Sequence, residues 1–271
     1  MNMKAKVIIS TVMLMACCMA NAQTKETAIL FSGTEFDESY LLADNVSVVF
    51  DEDNKARICL DGADATEFVF DKDHPVTAEF KDAFKIKANQ DPNNTSDYYS
   101  TFFTNKGAYK LPQDKSVTAY AGIVDGKCLK MTNIGDTIHM QEPVILKASQ
   151  SDIILMPSSN TNSASADNDL VGTDEVKTLG TGDYALSLGQ RGVGFYLWEG
   201  KEIGANKAYL SLGSVAGAKA FTFQFEDEIT GINDPQLPTL NSQPTYNLNG
   251  VRVNNNYKGI VIVNGKKIYQ K

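Results

Sequence analysis

A mainly β fold, of one or two sandwich-like domains followed by a short C-terminal β-meander, is predicted by three features of the sequence. Apolar residues recur with a period of two in short runs, glycine-containing turn dipeptides separate the runs, and no stretch carries a sustained helical stripe. Phe221, Phe223 and Phe225 alternate with Thr222, Gln224 and Glu226, and Phe195 and Leu197 alternate with Tyr196 and Trp198. Tyr184, Leu186 and Leu188 alternate with Ala185 and Ser187, and Val46, Val48 and Phe50 repeat the pattern upstream. Asp61-Gly62, Asp125-Gly126, Asn249-Gly250 and Asn264-Gly265 supply hairpin turns, because glycine adopts positive φ without steric cost. Residues 76–88 offer the best helical spacing, through Val76, Phe80 and Phe84, yet Ile86 continues them equally well as a strand.

Residues 1–22 read as a secretory leader, removed before the mature protein folds. Lys4 and Lys6 form its basic start, Val7 to Ala16 its apolar centre, and Ala20-Asn21-Ala22 a small-x-small cleavage pattern ahead of Gln23. The apolar centre is too short for a membrane span, which needs about 20 apolar residues, and no later segment reaches that length. Leu14-Met15-Ala16-Cys17 also resembles a bacterial lipobox, which would lipidate Cys17 and tether the product to a membrane. Cleavage after Ala22 releases 249 residues, and the loss of two lysines takes the net charge from -8 to -10. Cys59 and Cys128 remain. A bridge between them would close a loop of about 70 residues, worth about 4 kcal/mol in the chain-entropy account, and two packed, unbridged thiols are the alternative.

Composition divides the rest. Residues 23–96 are acidic and strand-rich, 97–228 form a second β-rich module, and 229–245 carry Pro235, Pro238 and Pro244 in a polar linker. With 42% hydrophobic residues the chain has enough apolar surface to fold, and its negative charge argues against nucleic-acid binding, which needs clustered lysine and arginine. Residues 246–271 reverse the charge: Arg252, Lys258, Lys266, Lys267 and Lys271 stand there without an acidic residue.

That segment resembles a C-terminal tail of secreted and surface proteins of Bacteroidetes. The pattern is met by Tyr246, Leu248, Gly250 and Val253, then by Lys258, Gly259, Ile260, Ile262, Asn264, Gly265, Lys266 and Lys267. Thr230-Gly231-Ile232 before it is similar to the usual lead-in. Such tails are similar to, though shorter than, the sorting domains of type IX secretion. The resemblance implies export across the outer membrane, by machinery that reads the leader and the tail, to the cell surface or the medium. Through Val117 to Gly122, Asp136 to Ile138 with Pro143 to Leu146, Gly192 to Tyr196 and Ala205 to Leu210, residues 97–228 resemble an uncharacterised β-rich module that often precedes such tails, and that resemblance implies no catalytic residues.

Candidate chemistry is sparse. Asp51-Glu52-Asp53-Asn54 and Asp71-Lys72-Asp73-His74 are acidic clusters after similar Val-Phe pairs, but Lys55 and Pro75 break any EF-hand spacing. Both read as turns, and no metal site is expected. Tyr196 and Trp198, with Tyr98, Tyr99, Phe102 and Phe103, have the makings of a flat sugar-binding platform or of a packed aromatic core. His74 and His139 stand outside any nucleophile-elbow or zinc-protease motif. Asp136-Thr137-Ile138 fits a short pattern for O-glycosylation at Thr137. No catalytic residue and no cofactor are expected. The sequence therefore points to an exported, non-catalytic binding or structural protein, secreted or on the outer cell surface, its ligand a glycan or host component. A periplasmic or lipid-anchored product is the less favoured location. A glycan-active enzyme using carboxylates and a fimbria-like assembly subunit are the rival readings.

Overall fold

The structure, a computed structural model, describes residues 6–8, 23–34, 36–50, 55–69, 73–164, 166–189, 191–213, 218–225, 245–247, 252–253, 259–263 and 266–270. The protein is mainly β and sandwich-like, as its periodicity predicts. A 3-10 turn spans Leu42–Asp44, and among the described residues no helix is long and apolar enough to cross a membrane. The chain forms two compact units, one ending at Phe225 and the other beginning at Glu226.

Among the described residues four sheets build the first unit, the smallest a two-stranded pair of Lys177–Thr178 and Glu202–Ile203. A four-stranded sheet runs in the order Lys6–Ile8, Ser47–Phe50, Lys55–Leu60, Ala63–Val69; its first strand lies within the expected leader, so cleavage after Ala22 would leave the other three. A six-stranded sheet runs Thr137–Ile138, Ala108–Lys110, Asp152–Ser158, Thr77–Lys87, Thr24–Gly33, Phe36–Leu41. It interleaves strands from both sides of residue 96, so the composition change there does not separate two sheets. The third sheet has ten strands. At one end lie Leu170–Thr173, Lys207–Ser211 and Asp183–Gly189; at the other, Val144–Ala148, Tyr98–Phe102 and Asn89–Gln90.

Alternation explains the layering. Ile29 and Phe31 pack with Val46, Val48, Ala56 and Ile58 between the four- and six-stranded sheets. Phe84, Ile86, Ile153 and Leu155 of the six-stranded sheet meet Phe102, Val144 and Leu146 of the ten-stranded sheet. Ile145, between those last two, points the opposite way and packs with Leu129, Phe195 and Phe221 inside the curl of the large sheet. Val144-Ile145-Leu146 is thus buried on both faces, which is why this strand reads as a continuous apolar run. Each such fully buried side chain contributes about 1.5–3 kcal/mol of transfer free energy.

The phenylalanine run behaves as its pattern requires. Ala220–Phe225 sits mid-sheet, parallel to Cys128–Asn133 and antiparallel to Gly192–Leu197, with Phe221 and Phe225 buried and Phe223 packed beside them. The ambiguous residues 76–88 resolve as a strand. Thr77–Lys87 is paired along one edge with Thr24–Ser32 and along the other with Asp152–Leu155. Phe80, which a helix would bury beside Phe84, is 62% exposed. At Asp61-Gly62 both residues have positive φ, 49° and 85°, and turn Lys55–Leu60 into Ala63–Val69. Asp125-Gly126 turns Val117–Asp125 into Cys128–Asn133, with Gly126 at φ 61°.

No disulfide joins Cys59 and Cys128. Cys59 is buried in the four-stranded sheet, where its thiol donates to Asp64 Oδ1 at 3.3 Å. Cys128 lies in the ten-stranded sheet, its sulfur 3.8 Å from Thr222 Oγ1. Of the two arrangements open to the sequence the structure has the unbridged one, because the two thiols belong to different sheets and have different partners.

The second unit contains a four-stranded antiparallel sheet in the order Arg252–Val253, Thr245–Asn247, Gly259–Val263, Lys266–Gln270. The expected strands are present in its backbone, but not as a simple meander: Thr245–Asn247 lies between Arg252–Val253 and Gly259–Val263, because it pairs with both. Tyr246, Val253, Gly259, Ile260, Ile262, Lys266 and Lys267 lie on these strands, and Tyr246 pairs with both Arg252 and Ile262. Leu248, Asn249, Gly250, Lys258, Asn264 and Gly265 fall outside the described residues, as do most of the linker, Ala20 and Ala22, Cys17, Asp51 to Asn54, and Asp71-Lys72.

Candidate cleft at the seam of the curled sheet

The ten-stranded sheet curls until strands near its two ends approach each other without joining the ladder. Side chains bridge this seam. Thr101 Oγ1 accepts from the Ala208 backbone N–H at 3.2 Å, and Asn206 Nδ2 donates to Phe103 O at 3.1 Å. Phe103 N–H donates in return to Asn206 O at 3.2 Å. Gln23 closes one side of the seam, its amide nitrogen donating to Thr101 O at 3.0 Å and Asn206 O at 2.9 Å. Its amide oxygen is buried without a partner. The residue expected to begin the mature chain is thus docked between the two ends of the sheet.

Beside the seam opens a cleft of about 150 Å³, open to solvent on one side. Ser100, Thr101, Lys207 and Ala208 line it together with Ala185, Leu186 and Trp198. Lys87, Asn89, Glu202, Ile203 and Gly204 complete the lining. Strand geometry places these groups. Lys207 and Tyr209 share one face of Lys207–Ser211, while Ala208 and Leu210 fill the core on the other. Gly172, opposite Ala208 in the neighbouring strand, supports this region. A Cβ there would lie 1.9 Å from the Phe103 ring, so the absence of a side chain lets that ring close under the strand.

Lys207 is the chemically distinctive group. Its Nζ lies 3.1 Å from Ser100 Oγ, its one hydrogen-bond acceptor among the described residues, and it makes no ion pair there. An ammonium has three N–H donors, so two have no protein acceptor. Burial disfavours the charged amine and lowers its pKa from 10.5 to about 8. The other cleft charges are better satisfied or more exposed. Lys87 is paired with Asp152 at 2.6 Å, and Glu202 is exposed beside Trp198.

Trp198 is partly buried. Its indole N–H donates to Glu202 O at 3.2 Å, and the Lys201 ammonium lies 4.5 Å from the ring centroid. Tyr196 is placed differently. Its ring packs over Gly189 and its hydroxyl donates to Gly192 O at 2.9 Å. The expected two-residue platform is therefore divided: Trp198 lines the cleft and Tyr196 does not. Tyr99 and Phe102 are buried in separate cores, and Phe103 packs on Gly172.

The remaining candidates lie elsewhere. Thr137 is partly exposed on a two-residue edge strand, next to Asp136, which pairs with Lys115. His139 and the buried Glu142 are 2.9 Å apart, and the same carboxylate oxygen accepts the His139 backbone N–H at 2.8 Å, tying a tight turn. His74 lines a second, larger cleft. No cluster of three or more potential metal-ligating side chains occurs among the described residues.

Sequence reasoning missed Lys207, Ser100 and Glu202. Ala205-Asn206-Lys207-Ala208-Tyr209-Leu210 did hold a signal: a lysine on the same strand face as a tyrosine, within an otherwise uncharged run. Comparison with known proteins finds no matching family model, no matching curated protein and no matching solved structure.

Proposed function

We propose that this chain is exported and acts at the outer cell surface or in the medium as a non-catalytic binding protein, its ligand a carbohydrate held at the seam cleft. The observation that carries the reading is the cleft's lining. It combines an aromatic side chain, Trp198, with the polar groups of Ser100, Thr101 and Lys207. A flat aromatic face suits the apolar side of a pyranose, and a few placed polar groups fix its orientation. The lining contains one carboxylate, Glu202. Glycoside hydrolysis in its common form needs two carboxyl groups flanking the bond, so binding is favoured over cleavage. Export is supported by the leader pattern of residues 1–22 and by the tail pattern from Tyr246 to Lys267.

Two measurements test the reading. Intact-mass analysis of the native protein from separated cell fractions is expected to find a chain beginning at Gln23 outside the cytoplasm; a cytoplasmic chain retaining Met1 would overturn the export. Retention on immobilised polysaccharides, with assay for new reducing ends, is expected to show unmodified bound sugar and loss of retention in Trp198→Ala. New reducing ends would replace the binding role with an enzymatic one. An oligomer ladder in surface extracts, without sugar retention, would replace it with the assembly role.

A further inference from the structure

The unsatisfied ammonium in the cleft narrows the ligand class. We propose that the seam cleft selects an acidic pyranose, a sugar ring bearing a carboxylate or sulfate group, with the anionic group seated on Lys207 Nζ and the ring against Trp198. This rests on the carbohydrate-binding reading of the same cleft. Lys207 has one protein acceptor, Ser100 Oγ, for three donors, and no carboxylate pairs with it among the described residues. A partly buried cation with two open donors is costly in the empty site, and an anionic ligand supplies both acceptors and countercharge. A neutral sugar hydroxyl supplies an acceptor but no countercharge.

The surroundings fit an anion. The charged and polar side chains that line the cleft with Lys207 are Ser100, Thr101, Asn89, Lys87 with its partner Asp152, and Glu202. Glu202 is exposed, so water screens its repulsion more strongly than it screens the attraction at Lys207. The volume, about 150 Å³, matches a cavity that takes one six-membered ring, and the open side leaves room for a longer chain to continue outward. With a pKa of about 8 the amine is largely charged at neutral pH and becomes neutral above it.

The test uses the full chain and a panel of methyl hexuronides, sulfated hexosides and their neutral parents, titrated by calorimetry or NMR, with sodium acetate and sodium sulfate as free-anion arms. An acidic sugar is expected to bind at least tenfold more tightly than its neutral parent and than either salt. The uronide and sulfate arms show which anion is preferred. Affinity for the acidic sugar is expected to fall between pH 7 and 9.5 while that for the neutral sugar stays constant. Lys207→Met is expected to erase the acidic preference, and a cooperative melt with an unchanged circular-dichroism spectrum would show that this variant is folded. Equal binding of acidic and neutral sugars, or a preference that survives Lys207→Met, overturns this inference and leaves the carbohydrate reading intact. Salt bound as tightly as sugar makes the cleft a free-anion site and overturns it too. Absence of any sugar binding, polysaccharides included, overturns both.

Discussion

Two clefts of the first unit differ in size and in chemistry. The seam cleft encloses about 150 Å³ and holds a partly buried lysine. The other encloses about 390 Å³, between Gly33, Phe36, Phe68, Val69 and Val76, with His74 and Glu67 at its lining. Its walls are packed hydrophobics: Phe36 stacks on Phe68 with centroids 4.8 Å apart, and both join the core beneath the four-stranded sheet. Size would favour the larger cleft. Chemistry favours the smaller, because an apolar groove is already satisfied by its own packing, whereas an ammonium with open donors is not.

The largest expected effect separates the two by stability. Phe68→Ala removes the stacked ring and its contact with Phe31, and is expected to cost about 2–4 kcal/mol in denaturant unfolding while leaving sugar affinity unchanged. A loss of sugar affinity in a folded Phe68→Ala protein would erase the distinction. Gly172→Ala acts on the seam side. Its Cβ would collide with Phe103, and repacking is expected to cost about 1–3 kcal/mol and to weaken ligand binding as well.

Lys207→Met is expected to move in the opposite direction. The folded-state pKa, about 8, lies below the ordinary value of 10.5, so the fold disfavours the charged amine. That penalty is fully present below pH 8 and disappears above about pH 10.5. Substitution is therefore expected to raise stability at pH 7 by about 1–3 kcal/mol, an advantage that fades across that window. Thermal unfolding at pH 7 and pH 10 measures it. A stabilised protein that has lost its acidic preference would mark Lys207 as retained for binding rather than for folding.

The smallest effect concerns the hairpin bearing Phe36. Burial alone would raise the Asp37 pKa, but hydrogen bonds from the Ser158 hydroxyl and Ser159 N–H, with the Lys110 ammonium at 3.0 Å, outweigh it and hold the carboxyl below its ordinary value. Its contribution is present above the unfolded-state pKa of 3.8 and is lost as pH falls through the lower folded-state value. Asp37→Asn is expected to cost about 1 kcal/mol at pH 7 and nothing once Asp37 is protonated in the folded state, as urea unfolding at pH 7 and in strong acid would show. A pH-independent difference would remove the charge from this account.

Much of the fold is visible in the chain. The alternation at Phe221, Phe223 and Phe225 forecasts a strand packed on one face, and Asp61-Gly62 and Asp125-Gly126 forecast their hairpins, because pleat geometry and positive φ are local properties. Residues 76–88 stayed ambiguous, since Val76, Phe80 and Phe84 fit a helical period by coincidence. Only the partners on both edges decide for a strand. The two cysteines illustrate the same limit: loop entropy weighs what a bridge is worth, but not whether Cys59 and Cys128 meet.

The candidate site was far less legible. Trp198 was visible as an aromatic of interest, yet its separation from Tyr196 follows from glycines at 189 and 192 that give the tyrosine ring and hydroxyl their places. Lys207 attracted no notice, because a lysine in a strand is ordinarily a solvated edge residue.

The order of amino acids by itself determined the strand period, the tight turns and the marks of a leader and tail, since each depends on neighbours within a few residues. Only the tertiary structure decided where the seam lies and what it holds. Lys207 meets Ser100 across 107 residues of chain, and the burial of its amine follows from the curl of a ten-stranded sheet. Curl is a sum of many small twists and contacts, and so is written in no single stretch of sequence.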